Sequence, residues 1–286
     1  MRIGLYSNPD KDPGYSLAKR AAGYIRQAGA TAVAGPEYDG SLLAQSGQVE
    51  LADYGTCDLA ICLGGDGTFL SLVHLVGHES IPVIGVNLGS VGFLPEILPD
   101  RLQPAIARLV SGDYQLEQRM MLDVSCFDRN QVLLGEGFAL NDAVVSRGAS
   151  ARIVTLELTI NQETVDRIPG DGLIISTPTG STAYSLSAGG PIIHPELSLI
   201  LITPICPHTL HNRSYIASDR SRIVVKVGDY PYQAVVSIDG RRDIYIESGG
   251  TAVIRRSTKS LPIIRLGDDN FYVALPQKIQ ARGRAR

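Results

Sequence analysis

The stretch Leu63-Gly64-Gly65-Asp66-Gly67-Thr68 decides the fold of this 286-residue chain. It follows an apolar run at residues 58–63 and precedes a helix-like segment at 69–76, and a second apolar run covers residues 81–87. This order of strand, glycine turn, helix and strand predicts a βαβ unit. Ligands of such units bind beyond the carboxyl end of the strand, which is where this turn lies.

The glycine turn favours a bound anion, yet it carries a carboxylate. Gly64, Gly65 and Gly67 let the backbone approach a ligand closely and direct N–H groups at a phosphate. Asp66 adds a negative charge to that setting, which indicates that it holds a cation or accepts a proton. The alternative is a simple tight corner, since Asp-Gly is a common turn pair, and this motif alone leaves both interpretations open.

Composition limits the class of protein. Hydrophobic residues make up 44% and charged residues 19%, which is typical of a soluble globular protein. A net charge of −3 argues against a broad nucleic-acid surface. No apolar run approaches the ~18 residues of a membrane helix. The four cysteines lie in apolar runs without a Cys-x-x-Cys pair, which favours free thiols and a reducing cytoplasm.

The chain divides into two segments with different predicted secondary-structure patterns. Residues 1–117 alternate strands and helices and predict an α/β domain with a small parallel sheet, which carries the glycine turn. Residues 118–267 predict a β-rich domain, with strands at 121–127, 138–146, 153–160, 223–227, 234–238, 243–246 and 252–255. The tail, 268–286, could pack back on the first domain, and its basic end at 280–286 is expected to be frayed. A cleft between the two domains is the default ligand site.

A second dense stretch runs from Gly170 to Pro191. A strand at 173–176 enters a turn in which seven of twelve residues carry hydroxyls, and a helix is expected at 182–188 with Gly189 as its stop. Helix capping needs only one or two hydroxyls. The surplus favours a polar ligand with hydroxyls and ring nitrogens, to which Tyr184 would offer a flat face. Capping alone is the competing interpretation.

A third stretch places Asn141-Asp142 inside an apolar strand. An Asn-Asp pair is common in turns. A carboxylate beside an amide can also clamp a vicinal diol, as acidic residues do on a ribose. By itself this pair is a weak signal.

Together the three stretches resemble the NAD kinase family. The resemblance runs from about residue 58 to 240 and is carried by Gly64-Gly65-Asp66-Gly67-Thr68, by Asn141-Asp142 and by the Thr-Gly-rich segment from Thr177 to Ser185. Three further blocks match, namely the segments 85–94, 207–210 and 237–240. The glycine turn is shared with lipid kinases and phosphofructokinases, whereas the Thr-Gly-rich segment is more specific. The implied fold is the two-domain architecture of NAD kinases and diacylglycerol kinases.

The resemblance implies phosphoryl transfer from ATP, or another nucleoside triphosphate or polyphosphate, to the 2′-hydroxyl of the adenosine ribose of NAD, with Mg²⁺ or another divalent cation. Asp66 would be the general base, and Gly64, Gly65, Gly67 and Thr68 would hold the donor phosphates. The implied NAD-binding residues are Asn141, Asp142, Asp171, Thr182, Ala183, Tyr184, Ser187 and Phe93. Asp171 would reach the nicotinamide amide, from a neighbouring subunit if the chain forms the homodimer or homotetramer typical of the family.

Several alternatives stay open at this point. Ile168-Pro169-Gly170 stands where some family members carry a basic residue near the nicotinamide end. The sequence therefore leaves open whether the enzyme discriminates between NAD and NADH. The metal ligands are unknown. A lipid kinase would share Asp66 but needs an apolar acceptor groove. A dinucleotide sensor without catalytic activity would not need Asp66.

Overall fold

The computed structural model describes residues 1–36, 43–44, 47–77, 81–89, 92–209, 213–267 and 271–284. The predicted positions Ser90, Val91 and Leu210 lie outside the described residues. The chain forms two compact units, of which one contains Met1–Gln118 and the chain from Leu261 onward, and the other contains Arg119–Ser260. The expected boundaries were 117/118 and 267/268. No helix in the described part of the chain is long and apolar enough to cross a membrane.

The first unit is an α/β domain built on a parallel sheet, as predicted. Its strands pair in the order β3-β2-β1-β4-β5. They are β1 (Arg2–Ser7), β2 (Thr31–Ala34), β3 (Glu50–Leu51), β4 (Leu59–Gly64) and β5 (Val83–Asn87). The helices are α1 (Ser16–Gln27), α2 (Asp66–Val76) and α3 (Leu102–Ser111). The βαβ unit predicted around the glycine turn is therefore β4-α2-β5.

The strand β4 is buried along its whole length, which explains why its sequence is a continuous apolar run. Leu59, Ile61 and Leu63 pack in one cluster with apolar side chains of α1 and α3. Ala60 and Cys62 point to the opposite face because side chains alternate along a strand. Burial on both faces holds β4 in the centre of the sheet.

The second unit is β-rich, as predicted, and its strands pair largely antiparallel. One sheet has the order β13-β12-β11-β8-β15-β16. Its members are β8 (Asp142–Ser146), β11 (Gly172–Ser176), β12 (Leu199–Ile205), β13 (Tyr215–Ser218), β15 (Ala234–Ile238) and β16 (Arg242–Ile246). The other strands are β6 (Gln115–Phe127), β7 (Leu133–Ala139), β9 (Val154–Ile160), β10 (Glu163–Gly170) and β14 (Ile223–Val227). A single turn of helix, α4 (Tyr184–Ser187), follows β11.

The end of the chain differs from expectation. The strand predicted at 252–255 is the start of the 15-residue strand β17 (Thr251–Arg265). Residues 280–284, predicted to be frayed, belong to the helix α5 (Phe271–Arg284). In the first unit Arg265 donates from Nε to Glu117 Oε2 (2.6 Å) and from Nη1 to Glu96 Oε2 (3.1 Å). This ion-pair network fastens the end of β17.

Breaking that network should destabilise the protein. Arg265→Met leaves Glu96 and Glu117, whose side chains are only 11% and 14% exposed, without their cation. Removal of one partner of a buried ion pair costs about 3–5 kcal/mol. Urea unfolding should show a loss of that order. Arg255→Met on the same strand is the matched control, since Arg255 is 68% exposed and 3.7 Å from Asp123. Equal losses in both variants would contradict the assignment.

Candidate functional site

The glycine turn joins the carboxyl end of β4 to the first residue of α2. Gly64 ends the strand, Gly65 caps the helix in an extended conformation, and Asp66 is the first helical residue. A Cβ on Gly64 would collide with the Thr68 side chain, so the turn needs a glycine there. Thr68 is buried and its Oγ1 accepts a hydrogen bond from Asn8 Nδ2 (3.3 Å).

The Asp66 carboxylate is oriented by the segment that follows β5. Phe93 N–H donates to Oδ1 (3.0 Å) and Oδ2 (3.2 Å), and Leu94 N–H donates to Oδ1 (3.1 Å). Backbone donors of this kind fix the direction of a carboxylate. Two successive amides of one loop thus hold the carboxylate in a defined orientation.

Gly92 is a site residue that sequence reasoning missed. An ideal Cβ at this position would lie 2.5 Å from Asp66 Oδ1 and 3.0 Å from Pro95 Cδ. Only a glycine therefore leaves room for the carboxylate in its observed position. The signal was available in the matched block 85–94, but nothing local distinguished this glycine from a turn residue.

Phe93 presents a half-buried ring close to Asp66. Lys278 of α5 lies over this ring, with Nζ 5.7 Å from the ring centroid. Such a cation–π contact contributes about 0.5–1 kcal/mol at an exposed site. The expected packing of Phe93 on a dinucleotide stays a prediction.

In the second unit, Asp239 shapes the chain at Asn141-Asp142. Its carboxylate accepts three backbone hydrogen bonds, from Leu140 N–H (2.8 Å), Asn141 N–H (2.8 Å) and Asp142 N–H (3.0 Å). These donors are withdrawn from the sheet, so the strand predicted at 138–146 breaks into β7 and β8. Asp239 itself is buried with a positive φ of 50°. The sequence marked the block 237–240 but assigned this residue no role.

Asp142 is a buried carboxyl group without a hydrogen-bond partner among the described residues. It is 5% exposed, and it lies at the start of β8, opposite Ser176 of β11. Burial, together with the charge of Asp239, raises the pKa of Asp142 to about 7. A group that costs free energy to bury is expected to be used by a ligand.

The hydroxyl-rich segment uses most of its hydroxyls inside the protein. Six of the seven form internal hydrogen bonds, and these belong to Ser176, Thr177, Thr179, Ser181, Thr182 and Ser185. The predicted helix at 182–188 is a 3₁₀ turn, Thr179–Thr182, followed by α4. The surplus of hydroxyls therefore rigidifies the segment and does not by itself indicate a ligand.

The predicted adenine-end residues differ in accessibility. Thr182 is buried and its Oγ1 donates to Thr179 O (3.2 Å). Ala183 separates the two helical turns with φ −97° and ψ −124°. Tyr184 is 46% exposed, and Ser187 is exposed. Tyr184 thus has a ring face available for stacking.

Asp171 has a partner that the sequence did not indicate. Its Oδ1 accepts from Arg147 Nε (2.7 Å), and both side chains are partly exposed. An exposed ion pair of this kind contributes about 0–1 kcal/mol. The pair therefore orients Asp171 and leaves it available to a ligand.

The first unit brings together Asp66, Gly64, Gly65, Gly67, Thr68 and Phe93. The second unit contains Asn141, Asp142, Asp171, Thr182, Ala183, Tyr184 and Ser187, with Asp142 and Asp171 at opposite ends of the paired strands β8 and β11. In the described part of the chain no cluster of three histidine, cysteine or acidic side chains could hold a metal ion.

The buried Asp142 should make stability depend on pH. Its folded pKa lies above the ~3.9 of an unfolded aspartate. The folded chain therefore binds more protons between pH 4 and 7, and stability falls as the pH rises through that window. Asp142→Asn should be more stable than wild type at pH 8, by up to about 4 kcal/mol, and little different at pH 4. Urea unfolding at both pH values measures this, and a pH-independent difference would contradict it.

Two family models match the chain. The ATP-NAD kinase N-terminal domain matches residues 3–114, and the ATP-NAD kinase C-terminal domain matches residues 140–266. The NAD kinase of Acetivibrio thermocellus is 39% identical over 99% of this chain and 98% of its own length. The NAD kinase of Ruminiclostridium cellulolyticum is 38% identical over 98% of both chains.

Solved structures share the fold. Yeast NADH kinase, solved with NADH, has a TM-score of 0.88 at 23% identity and covers 100% of this chain and 89% of its own. An NAD kinase from Archaeoglobus fulgidus, solved with ATP, has a TM-score of 0.74 at 24% identity over 98% of this chain and 99% of its own. With relatives this similar over nearly its full length, the chain belongs to the NAD kinase family of phosphotransferases.

Proposed function

We propose that this kinase transfers the terminal phosphoryl group of ATP to the 2′-hydroxyl of the adenosine ribose of NAD, which yields NADP and ADP. The observation that carries the proposal is Asp66, a carboxylate oriented by two backbone N–H groups within a turn that otherwise favours anions. Family membership supports NAD as the acceptor. The matching ATP-NAD kinase models support ATP as the donor, and the role of Asp66 rests on the geometry of the turn.

In this proposal Asp66 is the general base. The 2′-oxygen gives its proton to the carboxylate and forms a bond to the γ-phosphorus, while the bond between that phosphorus and the β,γ-bridging oxygen breaks and ADP leaves. A positioned base contributes about 10²–10⁴-fold to the rate. The amides of Phe93 and Leu94 hold the carboxylate in position before the substrates arrive.

The donor phosphates are assigned to the glycine turn. Gly64, Gly65, Gly67 and Thr68 lie at the amino end of α2, where free N–H groups and the helix dipole favour negative charge. When bound with the donor phosphates, Mg²⁺ would supply neutralisation of their charge. Inorganic polyphosphate offers similar phosphates, so the donor assay includes it beside ATP.

NAD is assigned to the second unit. Asn141 and Asp142 bind the adenosine ribose, whose hydroxyls supply the hydrogen bonds that Asp142 lacks. Thr182, Ala183 and Ser187 line the adenine, Tyr184 stacks near a ribose, and Asp171 receives the nicotinamide amide. Phe93 of the first unit packs on the dinucleotide. We also assign the enzyme to the reducing cytoplasm, because all four cysteines are free thiols. We expect it to form a homodimer or homotetramer.

One assay separates this proposal from its rivals. The purified protein is incubated with Mg²⁺, ATP or polyphosphate, and either NAD or NADH, and reduced or oxidised NADP is measured. A lipid kinase would phosphorylate diacylglycerol and leave NAD unchanged. A sensor would bind NAD without turnover. Formation of NADP supports the proposal, and its absence with every donor would overturn it.

Asp66→Asn should nearly abolish turnover while the fold is kept. The amide has the same shape and can still accept from Phe93 and Leu94, but it cannot take a proton. Loss of a general base corresponds to about 3–5 kcal/mol of transition-state stabilisation. Retention of more than a tenth of wild-type kcat would show that Asp66 is not the base.

Glycine variants provide matched controls for that result. Gly92→Ala should lower kcat because the new methyl group displaces the Asp66 carboxylate. A Cβ on Gly23 of α1 meets no atom within 4 Å, so Gly23→Ala tests the same substitution without that displacement. A similar kcat in the two variants would argue against the role of Asp66 orientation.

Asp142→Asn should raise the NAD KM about tenfold or more, because a charge-assisted hydrogen bond is worth ~1.5–3 kcal/mol. The ATP KM should change much less.

Donation from ribose hydroxyls lowers the pKa of Asp142, so NAD binding to wild type near pH 7 should release a proton. Calorimetry in two buffers of different ionisation enthalpy detects that proton. Asp243→Asn, on the exposed edge strand β16, is the control.

A rise in the ATP KM with an unchanged NAD KM would show that Asp142 serves the other substrate. Absence of proton release in both wild type and Asp142→Asn would contradict the hydrogen bond to the ribose. Either result can be read independently of the effect on kcat.

A further inference from the structure

The loop that follows β1 is fastened to the glycine turn. Asn8 N–H donates to Leu63 O (3.2 Å), and Asn8 Nδ2 donates to Thr68 Oγ1 (3.3 Å). At the other end of the loop, Asp12 is buried and accepts from Leu17 N–H (2.8 Å) and Ala18 N–H (3.0 Å) at the start of α1. The loop is therefore held at both ends.

Lys11, between those two anchors, extends over the glycine turn. An ideal Cβ on Gly65 would lie 2.8 Å from Lys11 Nζ, and one on Gly89 would lie 3.2 Å from the same atom. The ammonium group thus rests against two glycine backbones, one after β4 and one after β5. Side chains at either position would compete with it for space.

The charge of Lys11 is not neutralised locally. Lys11 is exposed, and none of the described residues forms an ion pair or a side-chain hydrogen bond with its ammonium group. It also lies at the amino end of α2, where the helix dipole and free N–H groups add positive potential. A lysine held there adds to a potential that favours anions.

We propose that Lys11 binds the β- and γ-phosphates of the donor nucleotide. The proposal rests on the proposed function, since it concerns the donor of that same reaction. A lysine ammonium is a compact cation with three N–H donors and suits phosphate oxygens. As the phosphoryl group is transferred, a cation at this position stabilises the charge on the phosphate oxygens.

The same geometry allows a second role for Lys11. In that role Lys11 acts only on Asp66, by orienting its carboxylate. In that case its removal would lower kcat and leave donor binding unchanged. Donor binding and turnover therefore have to be measured separately.

The test compares Lys11→Met and Lys11→Arg with the wild type. Lys19→Met is the control, because Lys19 lies on α1 and donates to Gly14 O (2.9 Å). Calorimetry measures binding of MgATP and of inorganic tripolyphosphate without turnover, and steady-state kinetics measures the KM of ATP and of NAD. We expect Lys11→Met to weaken binding of both phosphate ligands and to raise the ATP KM by about tenfold or more. Lys11→Arg should recover most of the loss.

The outcomes are distinguishable. If the wild type binds tripolyphosphate but makes no NADP, the proposed function fails, and the difference in binding between wild type and Lys11→Met still decides the role of Lys11. Equal binding in those two proteins overturns the assignment of Lys11 and leaves the function intact. A loss in kcat alone, with donor binding unchanged, likewise overturns it. An NAD KM that rises as much as the ATP KM would do the same.

Discussion

The first unit depends on the register of three parallel strands, which aligns their carboxyl ends. Ser7 pairs with Leu63, and Gly64 pairs with Asn87, so β1, β4 and β5 stop at one edge of the sheet. The three loops that follow begin side by side. For this reason Asp66 finds the amides of Phe93 and Leu94, and Lys11 reaches the glycine turn, although the chain separates these residues widely.

The second unit contrasts two buried carboxylates. Asp239 accepts three backbone N–H groups, which compensates its burial and forces the chain at Leu140 and Asn141 out of the sheet. Asp142 gains no such compensation from the described residues, and the nearby charge of Asp239 adds to the cost of ionising it. One aspartate therefore builds the backbone that presents the other. Hydrogen bonds donated by a ligand would offset the free-energy cost of burying Asp142.

The candidate site residues of both units are held rigidly by hydrogen bonds within the protein. The hydroxyls of the Thr-Gly-rich segment bond to other parts of the second unit, as Thr177 does to Leu140 O (2.5 Å), and within their own turn, as Ser181 does to Pro178 O (2.7 Å). Asp66 is held by amides and Asp239 by its three donors. Groups fixed in advance lose little conformational freedom when a substrate binds, and this favours both affinity and alignment for transfer.

The sequence by itself determined the parallel α/β unit, the β-rich unit and the turn with Asp66, because apolar periodicity and glycine placement are local properties of a chain. It also marked Asn141-Asp142 and the Thr-Gly-rich segment. The tertiary structure alone decided the partners: Gly92 beside Asp66, Asp239 beneath residues 140–142, Arg147 on Asp171 and Lys11 over Gly65. It also decided the length of β17 and the helix at the chain end. Those contacts join residues far apart in sequence, and their geometry depends on strand register and packing, which no local pattern encodes.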